Sequence, residues 1–259
     1  MASWATKRKF VYSSVVIVVC IAIIVVPLFH FFYKAPTCFD GVQNGGEQGI
    51  DCGGGCTKLC QSAFLPAVVV WTDAHSIAPG LYNLAAYIEN PNVNGAAINA
   101  PYSFSIFDNQ GVLITQVYGT LTIPANRDTI AFMGAVNLGN RAPAKNGVNF
   151  AFTSPPLWQK SHDTLQSLVY PDPQYSEDST GSSLQVAVGN TSLTAYNSIT
   201  VYTVLKDINN NEVDFSKTYI DTIAGGGQRF APFTWPYSHN GVVVSEEILP
   251  VVPPVLDTN

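Results

Sequence analysis

Phe10 to Tyr33, FVYSSVVIVVCIAIIVVPLFHFFY, runs for twenty-four residues without a formal charge, and sixteen of them are Val, Ile, Leu or Phe. As a helix rising about 1.5 Å per residue it reaches roughly 36 Å, more than the ~30 Å hydrocarbon core of a bilayer. The run is therefore read as a transmembrane helix with the lipid bilayer as its partner. Lys7, Arg8 and Lys9 precede it and only Lys34 follows closely. By the positive-inside rule residues 1–9 stay in the cytoplasm and everything after the span is exported. A cleaved signal peptide is the rival, but its apolar region is about 7–15 residues long and ends in small residues, which LFHFFYK lacks. Cys20 sits mid-span and is read as packing.

Beyond residue 34 the chain carries eight Lys and Arg against all eighteen acids, a net charge of −10. An acidic exported part is a poor match for nucleic acid, whose phosphates require a basic face. Few charges, with 20 Gly and 17 Pro, suit a β-rich extracellular chain.

Four of the five cysteines, Cys38, Cys52, Cys56 and Cys60, fall within a short stretch after the span. In an exported segment an even, dense set reads as two disulfides, with three pairings open; a zinc site is the alternative. Residues 34–65 form a cysteine-rich stalk on this reading, with order supplied by cross-links rather than by a core. Asp40, Asn44, Glu47 and Asp51 are candidate calcium ligands. Asp40, Asn44, Gly45 and Asp51 match loop positions 1, 5, 6 and 12 of a calcium-hand pattern, while Val42 occupies a ligand position. Read as ordinary turn residues, the same side chains cap a Gly-rich loop. CFDGVQNGGEQGIDCGGGCTKLC also resembles a short DCGG-type motif of surface proteins, which implies an extracellular location and no particular activity.

From Ala67 the apolar period becomes two. Strands are expected at Ala67–Trp71, Tyr82–Ile88, around Tyr102–Ile106, Val112–Tyr118, Asp128–Val136 and Gly147–Phe152. Asp108-Asn109-Gln110-Gly111 and Pro124-Ala125-Asn126 supply the turns. A Pro-rich linker with a strand at Leu165–Tyr170 follows, and the pattern then repeats about one hundred residues on. Leu184–Val188 runs into Asn190, Ile199–Leu205 into Asp207, and Val213–Ile223 into Ala224-Gly225-Gly226-Gly227. Such spacing predicts an all-β chain of two tandem Ig-like β-sandwiches at 66–153 and 154–250, then a flexible tail at 251–259. Both units resemble the FxLYD-type domains of bacterial envelope proteins and the water-stress domains of late-embryogenesis proteins. That resemblance implies an Ig-like sandwich and brings no catalytic residues.

No catalytic constellation stands out. Ser161-His162-Asp163 is contiguous, so its side chains diverge, and His75 and His239 are read as isolated surface or turn residues. Asn190-Thr191-Ser192 fits a glycosylation sequon, but the equivalent Asn90 precedes proline, so a structural Asn explains both. The expected function is non-enzymatic, with no cofactor: a membrane-anchored surface interaction or structural module whose partner is a protein or surface polymer. The alternative is a calcium-binding sensor using the stalk or the Asp108 and Asp207 loops, and the remote alternative is a hydrolase.

Overall fold

The computed structural model describes residues 4–33 and 35–256; Lys34, residues 1–3 and residues 257–259 of the expected tail lie outside the described residues. The chain divides into two compact units between Asp51 and Cys52.

In the first unit α1 spans Trp4–Phe32. It starts within the segment expected as a cytoplasmic tail because WATKRK contains no helix breaker and its Lys and Arg are good helix formers. From Lys7 to His30 it is apolar enough to cross a membrane, with none of that stretch buried against protein. Ser14 Oγ donates to the Phe10 carbonyl one turn earlier at 2.8 Å, so the helix itself satisfies this hydroxyl.

The second unit is built of strands. In chain order they are β1 (Val68–Ala78), β2 (Leu81–Glu89), β3 (Gly95–Phe107), β4 (Leu113–Ile123), β5 (Thr129–Asn137), β6 (Val148–Phe152) and β7 (Trp158–Lys160). The series continues with β8 (Leu168–Val169), β9 (Gln174–Glu177), β10 (Ser182–Asn190), β11 (Tyr196–Lys206), β12 (Glu212–Ile223), β13 (Gln228–Trp235) and β14 (Ser245–Val251). One sheet runs β1-β2-β5 and a second β4-β3-β6, with β7 also on β3. Their inward residues share a core that includes Leu84, Ile88, Phe104, Ile106, Ile123 and Trp158. The pairing then recurs: β10 holds β13 with β8 and β9, and β11 lies between β12 and β14. Leu184, Val186, Ile199, Leu205, Ile223 and Phe233 belong to the second core.

The corners repeat as well. Asn90 Nδ2 donates to the carbonyls of Gly95 (2.8 Å) and Pro124 (2.7 Å), and its Oδ1 accepts the Asn92 amide at 3.0 Å. Asn190 Nδ2 likewise donates to Thr194 (2.7 Å) and lies 3.2 Å and 3.1 Å from the carbonyls of Ile223 and Ala224, while Oδ1 accepts the Ser192 amide at 2.9 Å. Each buried amide ties a strand end to the turn two strands on. Asn90→Ala and Asn190→Ala are each expected to lower stability by about 1–3 kcal/mol, because buried carbonyls lose their donor. Urea unfolding of both variants against the parent measures this.

Several boundaries differ from those the periodicity suggested. β1 continues to Ala78, and the expected strand at Leu165–Tyr170 is reduced to Leu168–Val169. The stretch expected as a flexible tail carries the end of β14; Val251 and Val252 are buried, and Leu256 bridges to Ser161. The cysteine-rich segment from Cys52 onward belongs to the second unit, and its Leu59 and Phe64 pack on the first core. Phe64 lies 5.0 Å from the Trp158 ring, and the Leu59 amide donates to the Trp158 carbonyl at 3.0 Å. Apolar contacts and backbone pairing, including the Lys58–Gln159 bridge, dock the loop together.

Candidate functional site

The face that joins the two repeats gathers one group of chemistry-bearing side chains of the second unit. β2 is buried on both sides: Leu84, Ala86 and Ile88 enter the first core, while Ala85 and Tyr87 enter a separate cluster with Ile130, Val204 and Phe215. Trp71, Phe132, Tyr202 and Leu249 pack around that cluster. Phe215 is fully buried; its ring lies 5.9 Å from Trp71, 6.2 Å from Phe132 and 5.0 Å edge-on from His75.

Two strand irregularities set this face. The β1–β2 register slips between Val69 and Trp71, after which Trp71, Asp73 and His75 follow the period of two. On β12, Leu205 pairs with Asp214 and Lys206 with Glu212, leaving Val213 as an extra residue. That bulge turns Glu212 to the same side as Phe215, although a spacing of three would otherwise put them on opposite faces.

His75 Nε2 lies 2.8 Å from Glu212 Oε1 and 4.0 Å from Asp73 Oδ2. Beside them a cleft of about 460 Å³ is lined by Trp71, Asp73, Tyr87, Glu89, Lys206 and Glu212, among others. Burial pushes the His75 pKa down, but the hydrogen bond to Glu212 and the charges of Asp214, Glu212 and Asp73 outweigh it and leave the group at about 9, above its ordinary 6.5. Tyr87 Oη donates to Glu247 Oε1 at 2.8 Å and lies 3.0 Å from Asp128 Oδ2; burial, then Glu247, pushes its pKa up. Lys206 Nζ pairs with Glu247 Oε2 at 2.7 Å.

The raised His75 value fixes a pH dependence. A folded-state pKa above the unfolded one stabilises fully below about pH 6.5, and the contribution disappears as pH rises through about 9. The stability difference between the parent and His75→Gln should therefore shrink steadily across that window, read from denaturant midpoints at each pH.

His239 sits in a second buried network. Its Nε2 lies 3.0 Å from Asp214 Oδ2, and its Nδ1 lies 3.0 Å from Ser182 Oγ and 2.8 Å from Tyr175 Oη. Tyr237 Oη donates to the same Asp214 oxygen at 2.7 Å. A Ser, a His and an Asp thus meet, but Ser182 is buried and its hydroxyl donates to the Tyr237 carbonyl at 3.0 Å. The arrangement ties β9, β10, β12 and the segment after β13 together. The reading of His75 and His239 as isolated is corrected: each faces a carboxylate from a distant strand. Ser161 Oγ donates to the Val255 carbonyl (2.9 Å) and Asp163 pairs with Arg127 (2.7 Å), so this hydroxyl and this carboxylate have separate partners. Phe233 and Trp235 lie buried in the second core.

The stalk candidates occupy turn positions. Asp40 Oδ1 accepts the Val42 amide at 2.9 Å, and Oδ2 accepts Thr37 N at 3.2 Å and Asn44 Nδ2 at 3.0 Å. Glu47 Oε2 accepts the amides of Asn44 and Asp51, each at 3.2 Å, and both Asp51 oxygens lie 3.0 Å from Gly41 N. Cys52 and Cys60 form a disulfide eight residues apart, a loop worth roughly 2–3 kcal/mol in the chain-entropy model. Cys38 and Cys56 are also disulfide-bonded. Asp108 Oδ1 accepts the Gln110 and Val112 amides, both at 2.9 Å, and Asp207 Oδ1 those of Asn209 and Asn211, both at 2.8 Å. The hydrogen bond from Arg141 holds Asp108, and that from Asn211 holds Asp207, below the ordinary carboxylate range. Lys7, Arg8 and Lys9 lie on the first turns of α1.

No family model matches the chain, and no curated protein does. Among solved structures, a β-glucuronidase from glycoside hydrolase family 2 is similar at 11% identity and TM-score 0.22, covering 70% of this chain and 25% of its own. Red sea bream transglutaminase is similar at 9% identity and TM-score 0.21, covering 66% and 27%. A putative β-galactosidase from Bacteroides fragilis is similar at 10% identity and TM-score 0.20, covering 70% and 34%. The chain thus spans about a quarter to a third of the length of these structures.

Proposed function

We propose that the protein is a single-pass, membrane-anchored surface module: α1 is an uncleaved anchor with its N-terminus in the cytoplasm, and the strands form two Ig-like sandwiches outside. On this reading the exported part is non-enzymatic and presents a binding face to a protein or surface polymer. The observation that carries it is α1 itself. A helix this long and this apolar suits the thickness of a bilayer, and Lys7, Arg8 and Lys9 stand at one end. The disulfides suit an oxidising exterior. The joined repeats suit a rigid presenting element, because buried aromatic contacts leave little freedom between them.

Protease added to intact cells that express the full chain is expected to release the strands and leave a membrane-embedded N-terminal fragment. Cross-linking on the same cells is expected to trap the exported part with a surface partner. A mature N-terminus near Ala35 would overturn the anchor, and an exported part found in no cross-linked complex would overturn the interaction role.

A further inference from the structure

We propose that Asp73, His75 and Glu212 bind one divalent transition-metal ion of the zinc class between the two repeats. Their ligand atoms all lie within 4.8 Å of one another. Zinc bonds of about 2.0–2.1 Å at a tetrahedral angle place neighbouring ligand atoms roughly 3.3 Å apart. His75 Nε2 is 2.8 Å from Glu212 Oε1 and 4.0 Å from Asp73 Oδ2, so the two separations bracket that value. Side-chain shifts of about half an ångström to an ångström seat the ion, which replaces the proton shared by His75 and Glu212.

The three side chains are also held for the task. The Phe215 ring packs edge-on against the imidazole at 5.0 Å. Asp73 Oδ1 accepts the Ala74 amide at 2.7 Å, which leaves Oδ2 on the His75 side. Asp214 is committed elsewhere, since Oδ1 accepts the Phe215 amide and Oδ2 takes Tyr237 and His239; it adds negative charge without ligating. An imidazole beside two carboxylates favours zinc-class ions over calcium or magnesium, which prefer all-oxygen shells. The cleft lined by Asp73 and Glu212 gives the ion an entry path and leaves its fourth position to water or a ligand. Because His75 and Asp73 come from β1 and Glu212 from β12, the bound ion clamps one repeat to the other.

The test uses the full chain in detergent, stripped with a chelator and titrated with zinc against a chromophoric zinc indicator. One equivalent is expected to bind, and His75→Ala and Glu212→Gln are expected to abolish it. Asp73→Asn guards against a folding artefact, because the Asp73 side chain is 49% exposed; it should weaken zinc at least about tenfold with an unchanged circular dichroism spectrum. Zinc should raise the melting temperature of the parent and not that of Asp73→Asn. Equal zinc affinity in the parent and Asp73→Asn would overturn the site. So would cobalt substitution giving a sulfur charge-transfer band, which would put the ion on Cys20.

Discussion

Phe215→Ala is expected to lower the free energy of unfolding by about 3–5 kcal/mol, the range for removing a fully buried aromatic ring. The ring is 0% exposed and meets Trp71, His75 and Phe132, all from the first repeat, although it stands on a strand of the second. The cost therefore falls on the joint rather than on either core. In denaturant the parent should unfold in one transition, because the shared cluster links the repeats. The variant should show two, with the second core unfolding apart from the first. Tryptophan fluorescence reports this directly, since Trp71 lies at the joint and Trp235 in the second core. A single transition at an unchanged midpoint would mean that the joint contributes nothing to stability.

Asp214→Ala is expected to cost about 3–5 kcal/mol for a different reason. The carboxylate is 1% exposed and accepts from Tyr237 Oη at 2.7 Å and faces His239 Nε2 at 3.0 Å. Without it, a partly buried hydroxyl and a buried imidazole lose their acceptor. Asp214→Asn keeps one oxygen and should cost less. Thermal or urea unfolding of the two variants, compared with the parent, gives the ordering; equal effects would mean that the carboxylate charge, which both variants remove, carries the loss and that the retained oxygen and side-chain volume contribute nothing.

Much of the strand framework was legible because period-two alternation reports the face turned to a core, and both cores here are continuous. Leu84, Ala86 and Ile88, and Leu184, Val186 and Val188, declare that face in both repeats. Asn90 and Asn190, with Asp108 and Asp207, marked corners through their side-chain chemistry. The outer faces were less legible. Ala85 and Tyr87 look like the solvent side of a strand until the second repeat covers them, and β1 looked short because Asp73 and His75 interrupt its apolar alternation. β7 and β9 lay hidden in a Pro-rich stretch, where pairing with β3 and β10 supplies the order that local propensity does not.

The candidate site was hardly visible for the same reason. Nothing near His75 announces Glu212, which stands 137 positions away, and nothing near His239 announces Asp214 as its acceptor. The bulge at Val213 that aims Glu212 is a register event, and register is decided by two strands together. By itself the amino-acid sequence determined the apolar helix, the cysteine-rich segment and the repeated strand pattern, since each depends on neighbours within a few residues or on a constant offset of about one hundred. Only the tertiary structure decided which outer faces meet, that residues from Cys52 onward dock on the first core, and that a histidine and two carboxylates converge at the joint. Such contacts depend on how the sheets stack and where a bulge falls, and local periodicity carries neither.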